Sequence, residues 1–356
     1  MVNDPTTSPP PPAPHQRRPR YAGKHPRRFE QKYKEHHPAR YAETVAKVLA
    51  AGKTPAGMHR PVMVAEVLQA LAPQPGEAAV DGTLGFGGHA QELLARIQPG
   101  GRLLGLDADP IELPKTEARL RALGFGAEVF TALRSNFAGL PQVLWESSLQ
   151  GADLVLADLG VSSMQLDDPG RGFSVKHEGP LDMRMNPQRG QSAAAFLQRI
   201  RPEALRELLE ENADETHAAL LAPALAGKLF AATTDLAQAV RAILLRVNKE
   251  ESDLCVRRVF QALRIAVNDE FSALETFLRH LPTCLNPGGR VAVLTFHSGE
   301  DRRVKKSFEA GLRDGLYEEI SGVLRPGSEE RRANPRSAPA KLRWARRPFT
   351  VAVAIQ

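Results

Sequence analysis

The sequence predicts an α/β fold, a parallel sheet with helices on both faces, interrupted by a mostly helical insertion. Three observations lead there. From Met58, short apolar runs alternate with amphipathic segments at helical spacing. A glycine cluster, "VDGTLGFGGHA" (80–90), sits where a strand must turn into a helix. Strand signals then lapse for about a hundred residues and return near the end of the chain.

Taken in order, residues 1–57 open with "TTSPPPPAPHQRRPR", which is proline-rich and poor in apolar residues, so this extension is expected to be disordered, with a short helix possible over 40–51. "RPVMVAEVLQALA" (60–72) has helical spacing. "AAVDGTL" (78–84) reads as a buried strand, "HAQELLARI" (89–97) as a helix and "GRLLGLDAD" (101–109) as a second strand. A helix with an early proline follows, then strands at "AEVFTAL" (127–133) and "ADLVLADLG" (152–160). Residues 164–186 are polar and loop-like, and 193–280 carry helical signals. "GGRVAVLTFHS" (288–298) and "FTVAVAIQ" (349–356) are the late strands. The expected organisation is a basic extension (1–57), an α/β domain built from 58–163 and 271–356, and a mostly helical substrate-recognition insertion (164–270).

Composition narrows the partners. Residues 1–57 hold eleven Lys/Arg against four Asp/Glu, while the other 299 residues hold 36 against 37. A second basic excess runs from Arg325 to Arg347. Two basic regions on a balanced body suit a polyanion such as nucleic acid, or else simply solubilise the surface. The two cysteines, Cys255 and Cys284, lack metal-ligand spacing, so neither a disulfide framework nor a metal site is expected, and a cytoplasmic, reducing setting is. No run of 18 apolar residues is present, so no membrane span is expected.

In an open parallel sheet, ligands bind at the carboxyl ends of the strands. Gly85, Gly87 and Gly88 lie there, at a helix start, where bare backbone N–H groups meet polar ligand atoms. Asp107 ends the next strand and can accept both hydroxyls of a ribose. An adenosine-type cofactor follows. Two late strands able to pair antiparallel are what S-adenosylmethionine-dependent methyltransferases add to the Rossmann plan. The other enzyme class with such a loop, nicotinamide-dependent oxidoreductases, needs a ring site and a hydride partner for which no matching signal is found.

Several longer stretches are distinctive: "DGTLGFGGH" (81–89), "DLGVSSMQLDD" (158–168), "RGFS" (171–174), "GPLDMRM" (179–185), "FQALRIAVNDE" (260–270), "GGRVAVLTFHSGEDR" (288–302) and "NPRSAPAKLR" (334–343). With these the chain resembles the bacterial 16S ribosomal RNA cytosine-N4 methyltransferases of the small-subunit decoding region, from about Met58 to Trp344. The resemblance implies a class I, Rossmann-like S-adenosylmethionine-dependent methyltransferase domain with a helical insertion. It implies a cytosine in 16S rRNA of the small subunit as substrate; a monomer or homodimer without metal is expected. An RNA-binding assembly factor that kept the fold is the non-catalytic alternative. Residue by residue, the resemblance implies cofactor contacts from Gly85, Gly87, Gly88 and His89, from Asp107 to the ribose, from Phe137 to the adenine, and from Asp158 and Gln165 near the methionine end. The chain departs from the family pattern at Ala108, at "ENADE" (211–215), at Gly299 and before "SAPAKLR".

For the reaction, the N4 amine is a poor nucleophile that must be held in line with the methyl. Acceptors for its hydrogens would help. Asp158 is the candidate, with a structural or cofactor-binding role as the other reading. His297, at a strand end, is a candidate base, although an amine can shed its proton after transfer. Phe173 is either a stacking platform for an unstacked base or an anchor for its loop. Arg171 and Arg184 either grip RNA or order the loop through ion pairs. Arg264, Asn268 and Glu270 face either the site or a neighbouring helix. Lys305, Lys306, Arg336, Lys341 and Arg343 are the expected phosphate contacts.

Overall fold

The computed structural model describes residues 61–349. The expectations for 1–57, and for a strand beyond Phe349, lie outside them.

The first half follows the predicted rhythm. Helix α1 (Val64–Leu71) leads into β1 (Ala78–Asp81), α2 (Gly88–Ile97), β2 (Arg102–Asp107), α3 (Leu113–Ala122), β3 (Phe130–Arg134), α4 (Leu140–Glu146) and β4 (Ala152–Asp158). Between β4 and β5 (Leu285–Thr295) the chain builds helices only: α5 (Ser163–Asp167), α6 (Ala193–Arg199), α7 (Pro202–Ala213), α8 (Ala218–Leu225), α9 (Thr233–Ile243), α10 (Lys249–Asn268) and α11 (Glu270–Cys284). After β5 come α12 (Ser298–Arg313), β6 (Glu319–Ile320), α13 (Ser328–Ala333) and β7 (Lys341–Arg346).

The seven strands are ordered β3-β2-β1-β4-β5-β7-β6. β1 to β5 pair in parallel, and β7 runs antiparallel to both β5 and β6. Alternation along the strands divides the core. Ala79, Leu103, Leu154, Leu156, Ala292 and Leu294 pack under α1, α2 and α3. Val80, Leu104, Val155, Ala157, Val291 and Val293 pack under α4, α11 and α12. Both faces being covered, the strands read as nearly continuous apolar runs. The stretch from α5 to α10 forms its own core, from Phe173, Leu181 and Met183 through Leu209, Leu221 and Leu236 to Leu263.

Three features differ from the sequence reading. The strand beside β5 is "KLRWAR", which the sequence reading places in a loop; its charges alternate with Leu342 and Ala345, which face the two cores. The long helical run of 257–281 is two helices, because Asp269 adopts φ 50 and ends α10. Helix α12 went unrecognised inside "SGEDRRVKKSFEAGLR", where Val304, Phe308 and Gly311 supply a narrow buried stripe.

Candidate active site

β1 delivers the chain to Asp81, and the turn that follows is held by its backbone. Gly82 N–H donates to Leu156 O (2.8 Å) and Leu84 N–H to Leu106 O (2.7 Å). Gly87 sits at φ 78, and a Cβ there would stand 2.9 Å from Thr116 Cγ2. A Cβ on Gly88 would meet the Pro61 ring at 3.0 Å. Only glycine tolerates that left-handed conformation in so little space. The loop also reaches its neighbours: Gly85 N–H donates to Asp107 Oδ2 (2.8 Å), and Asp158 N–H donates to Thr83 Oγ1 (2.6 Å).

These residues line one cavity of about 530 Å³ at the carboxyl ends of β1, β2 and β4. Gly85, Gly87, Gly88, His89, Asp107, Phe137, Asp158 and Gln165 are all in its wall. Phe137 stands edge-on to Phe277, 5.4 Å between centroids. Gln165 is buried, its Nε2 donating to Asp109 Oδ2 (2.9 Å). His89 is 7% exposed, with Nε2 3.6 Å from Asp158 Oδ2. His89 Nε2 and Asp158 Oδ1 have no hydrogen-bond partner.

Buried charge sets the electrostatics. Burial pushes Asp81 up to about 6, against the pull of the His89 charge. Burial likewise pushes Asp107 up to about 6, against hydrogen bonds from the Asp109 and Gly85 N–H groups. Burial alone would lower His89, but Asp158 and Asp81 outweigh it and the imidazole titrates above its ordinary value. The far wall carries a second charged group. Arg264 pairs with Glu270 at 2.9 Å. Glu300 accepts from Phe296 N–H (2.7 Å), and its other oxygen lies 3.1 Å from His297 Nε2. Burial raises Glu270, while the His297 contact holds Glu300 below its usual range in spite of burial.

An adenosyl ligand fits these residues. The glycine turn leaves bare backbone, Asp107 keeps lone pairs beyond the two N–H groups it accepts, and Asp158 keeps one buried oxygen unengaged.

Of the remaining sequence candidates, few stand free. Arg171 is not on a rim: it is 8% exposed, bonded to Asp109 Oδ2 at 2.7 Å and to the Arg184 and Met185 carbonyls. Phe173 is not a platform but part of the helical core. Arg184 forks onto Asp182 (2.7 and 2.8 Å). Arg343 is buried, and with Lys341 it is bound to Asp301 (2.7 and 2.9 Å). Arg336, at the cavity mouth, pairs with Asp167 (2.8 Å). Lys305 is exposed and loosely paired with Glu309 (3.7 Å), and Lys306 is exposed. His297 caps α12, its Nδ1 accepting Glu300 N–H.

Sequence reasoning did not find Phe271, Glu300 and Met185 in the cavity wall, and it left Arg264, Asn268 and Glu270 open. The usable signal was "VNDE": a helix stop at Asp269 turns Arg264 and Glu270 toward each other and toward the cavity. Asn268 lines it too, and ties the 164–186 loop down by accepting Met185 N–H (2.7 Å) and donating to Met183 O (2.8 Å).

A parallel sheet closed by a reversed β7, with a glycine turn facing an acid on β2, defines a class I S-adenosylmethionine-dependent methyltransferase. The chain belongs to the MraW methylase family, whose model matches residues 56–348. It is 50% identical over 340 residues to ribosomal RNA small subunit methyltransferase H 2 of Alkaliphilus metalliredigens, covering 93% of this chain and 97% of that protein. Ribosomal RNA small subunit methyltransferase H 1 of Lachnoclostridium phytofermentans is 47% identical over 341 residues, covering 93% of each. Ribosomal RNA small subunit methyltransferase H of Rubrobacter xylanophilus is 42% identical over 313 residues, covering 82% of this chain and 96% of that protein. Among the described residues no helix is long and apolar enough to cross a membrane.

Proposed function

We propose that the protein methylates the exocyclic N4 amine of a cytidine in 16S rRNA of the small ribosomal subunit, in the cytoplasm. S-adenosylmethionine supplies the reaction with an electrophilic methyl. The glycine turn and Asp107 bind the donor's adenosyl half. Phe137 and Gln165 bound the rest of its site.

The observation that carries the proposal is the unengaged Oδ1 of Asp158, buried beside His89 in the cavity wall. A buried acceptor without a donor is costly until a ligand supplies one. An N4 hydrogen does so, and the bond strengthens as the nitrogen gains positive charge. His89, held by the Asp158 carboxylate, fixes that side chain's orientation. Holding a nucleophile in line is an effect that can supply about 7–11 kcal/mol. The extra proton on nitrogen leaves after transfer, so His297 keeps its place as a helix cap.

Arg264, Asn268 and Met185 belong to the helical stretch 164–270, and their place in the cavity wall supports reading that stretch as substrate-recognising. Exposed Lys305, Lys306, Arg331 and Arg332 are the phosphate contacts. The test is incubation with S-adenosylmethionine and small subunits lacking the modification, followed by nucleoside mass spectrometry. N4-methylcytidine is the expected product. Absence of methyl transfer to those subunits would contradict the proposal.

A further inference from the structure

The helices between β4 and β5 contain a second constellation, away from the glycine turn. Glu215 and His217 lie in the link between α7 and α8, and Cys255 lies on α10. One ligand atom from each falls within 4.8 Å of the other two. Glu215 and Cys255 are buried, at 2% and 0% exposure, and His217 is partly open to solvent. Glu251, one turn before Cys255 on the same helix, reaches His217 Nε2 at 3.7 Å.

The Glu215 carboxylate is aimed into this group. Its Oε1 accepts the His217 backbone N–H (2.8 Å) and the Cys255 thiol (3.4 Å), and its Oε2 is buried with no partner. A lone thiol–carboxylate hydrogen bond would leave that oxygen desolvated for nothing. A cation held by both oxygens of the carboxylate, by the sulfur and by the imidazole removes the penalty. In a tetrahedral zinc site with its usual bond lengths, a sulfur–oxygen edge is about 3.6 Å. The 3.4 Å separation between Cys255 Sγ and Glu215 Oε1 is already that edge.

We infer that Glu215, His217 and Cys255 form a site for a thiophilic divalent cation, zinc by ligand class, with Glu251 or a water as fourth ligand. One sulfur, one imidazole nitrogen and carboxylate oxygen suit zinc or cobalt and are poor for magnesium or calcium. Binding replaces the Cys255 S–H bond with a metal–sulfur bond and releases that proton to solvent. The ligands are invisible to spacing rules because they come from a helix link and a helix 40 residues apart. Next to them, Asp214 accepts from Ser298 Oγ (2.7 Å) at the start of α12, so the metal would fix the loop that meets the His297 cap.

The test uses the full chain, stripped with chelator and titrated with Co²⁺. One equivalent should produce a near-ultraviolet sulfur-to-cobalt charge-transfer band with intense visible bands of tetrahedral cobalt, and Zn²⁺ should abolish both. Cys255→Ser should lose the charge-transfer band. His217→Ala should weaken binding at least about tenfold, as even supporting residues at metal sites do. Cys284→Ser should behave as wild type, with circular dichroism confirming that each variant is folded. Should Cys255→Ser fail to fold, the His217→Ala titration decides alone. Wild-type protein that shows no sulfur band, or a band that survives in folded Cys255→Ser, overturns the inference. None of these readouts involves methyl transfer.

Discussion

Two charged surroundings in this molecule differ in how far their polar groups are satisfied. At the cavity, Asp158 Oδ1 is buried and unengaged, while Oδ2 of the same carboxylate faces His89 Nε2 at 3.6 Å. Along 164–186, by contrast, the arginines are already paired: Arg171 on Asp109, just beyond β2, and Arg184 on Asp182. Burial of polar groups alone therefore does not mark function. A buried acceptor left short of a partner in a cavity wall is the stronger pointer, because the fold carries its cost until something binds.

The contrast can be broken from the structural side first. Arg171→Ala leaves Asp109 buried without its cation and should cost about 3–5 kcal/mol of stability, read by denaturant unfolding. An unchanged midpoint would return Arg171 to the substrate surface. From the chemical side, Asp158→Ala should lower single-turnover methyl transfer about 10²–10³-fold at saturating donor, with little change in unfolding midpoint. Full turnover would remove Asp158 from the chemistry.

Asp107 separates binding from turnover. Asp107→Ala should weaken S-adenosylhomocysteine binding about 10–100-fold by calorimetry, the loss of hydrogen bonds to a charged acceptor. Its titration gives a pH signature. Asp81 and Asp107 both rise from 3.8 to about 6 on folding, so their contribution to stability is complete below pH 4 and is lost as pH rises through about 6. Donor affinity should run the other way, strengthening as Asp107 ionises through about pH 6. In Asp107→Asn any residual dependence belongs to the interacting Asp81 and His89. The smallest effect belongs to Lys306→Gln: binding to RNA should weaken uniformly, and the log–log salt slope should fall by about 1.

The site was legible where its chemistry is local. Gly85, Gly87 and Gly88 interrupt an apolar run, and Asp107 ends the next one, so both sit at strand ends by counting alone. The sheet was legible as far as β5 for the same reason. β7 was not, since "KLRWAR" hides two core-facing residues among charges and a more apolar stretch follows it. The cavity's far wall was not legible either: Arg264 and Glu270 meet only because Asp269 breaks the helix, a left-handed residue that no periodicity announces. Arg171 and Arg184 kept two readings, and Arg343 was read as a phosphate contact, because a sequence shows charge but not its partner.

The central claim is that the turn at Gly85–Gly88 and the acid on β2 hold the methyl donor while Asp158 faces the acceptor. A crystal structure with S-adenosylhomocysteine tests it directly. The account predicts ribose hydroxyls within hydrogen-bonding distance of Asp107, the adenosyl group against the glycine turn, and the sulfur turned toward Asp158. Density for the ligand elsewhere, with Asp107 bonded only to the Gly85 and Asp109 N–H groups, would contradict it.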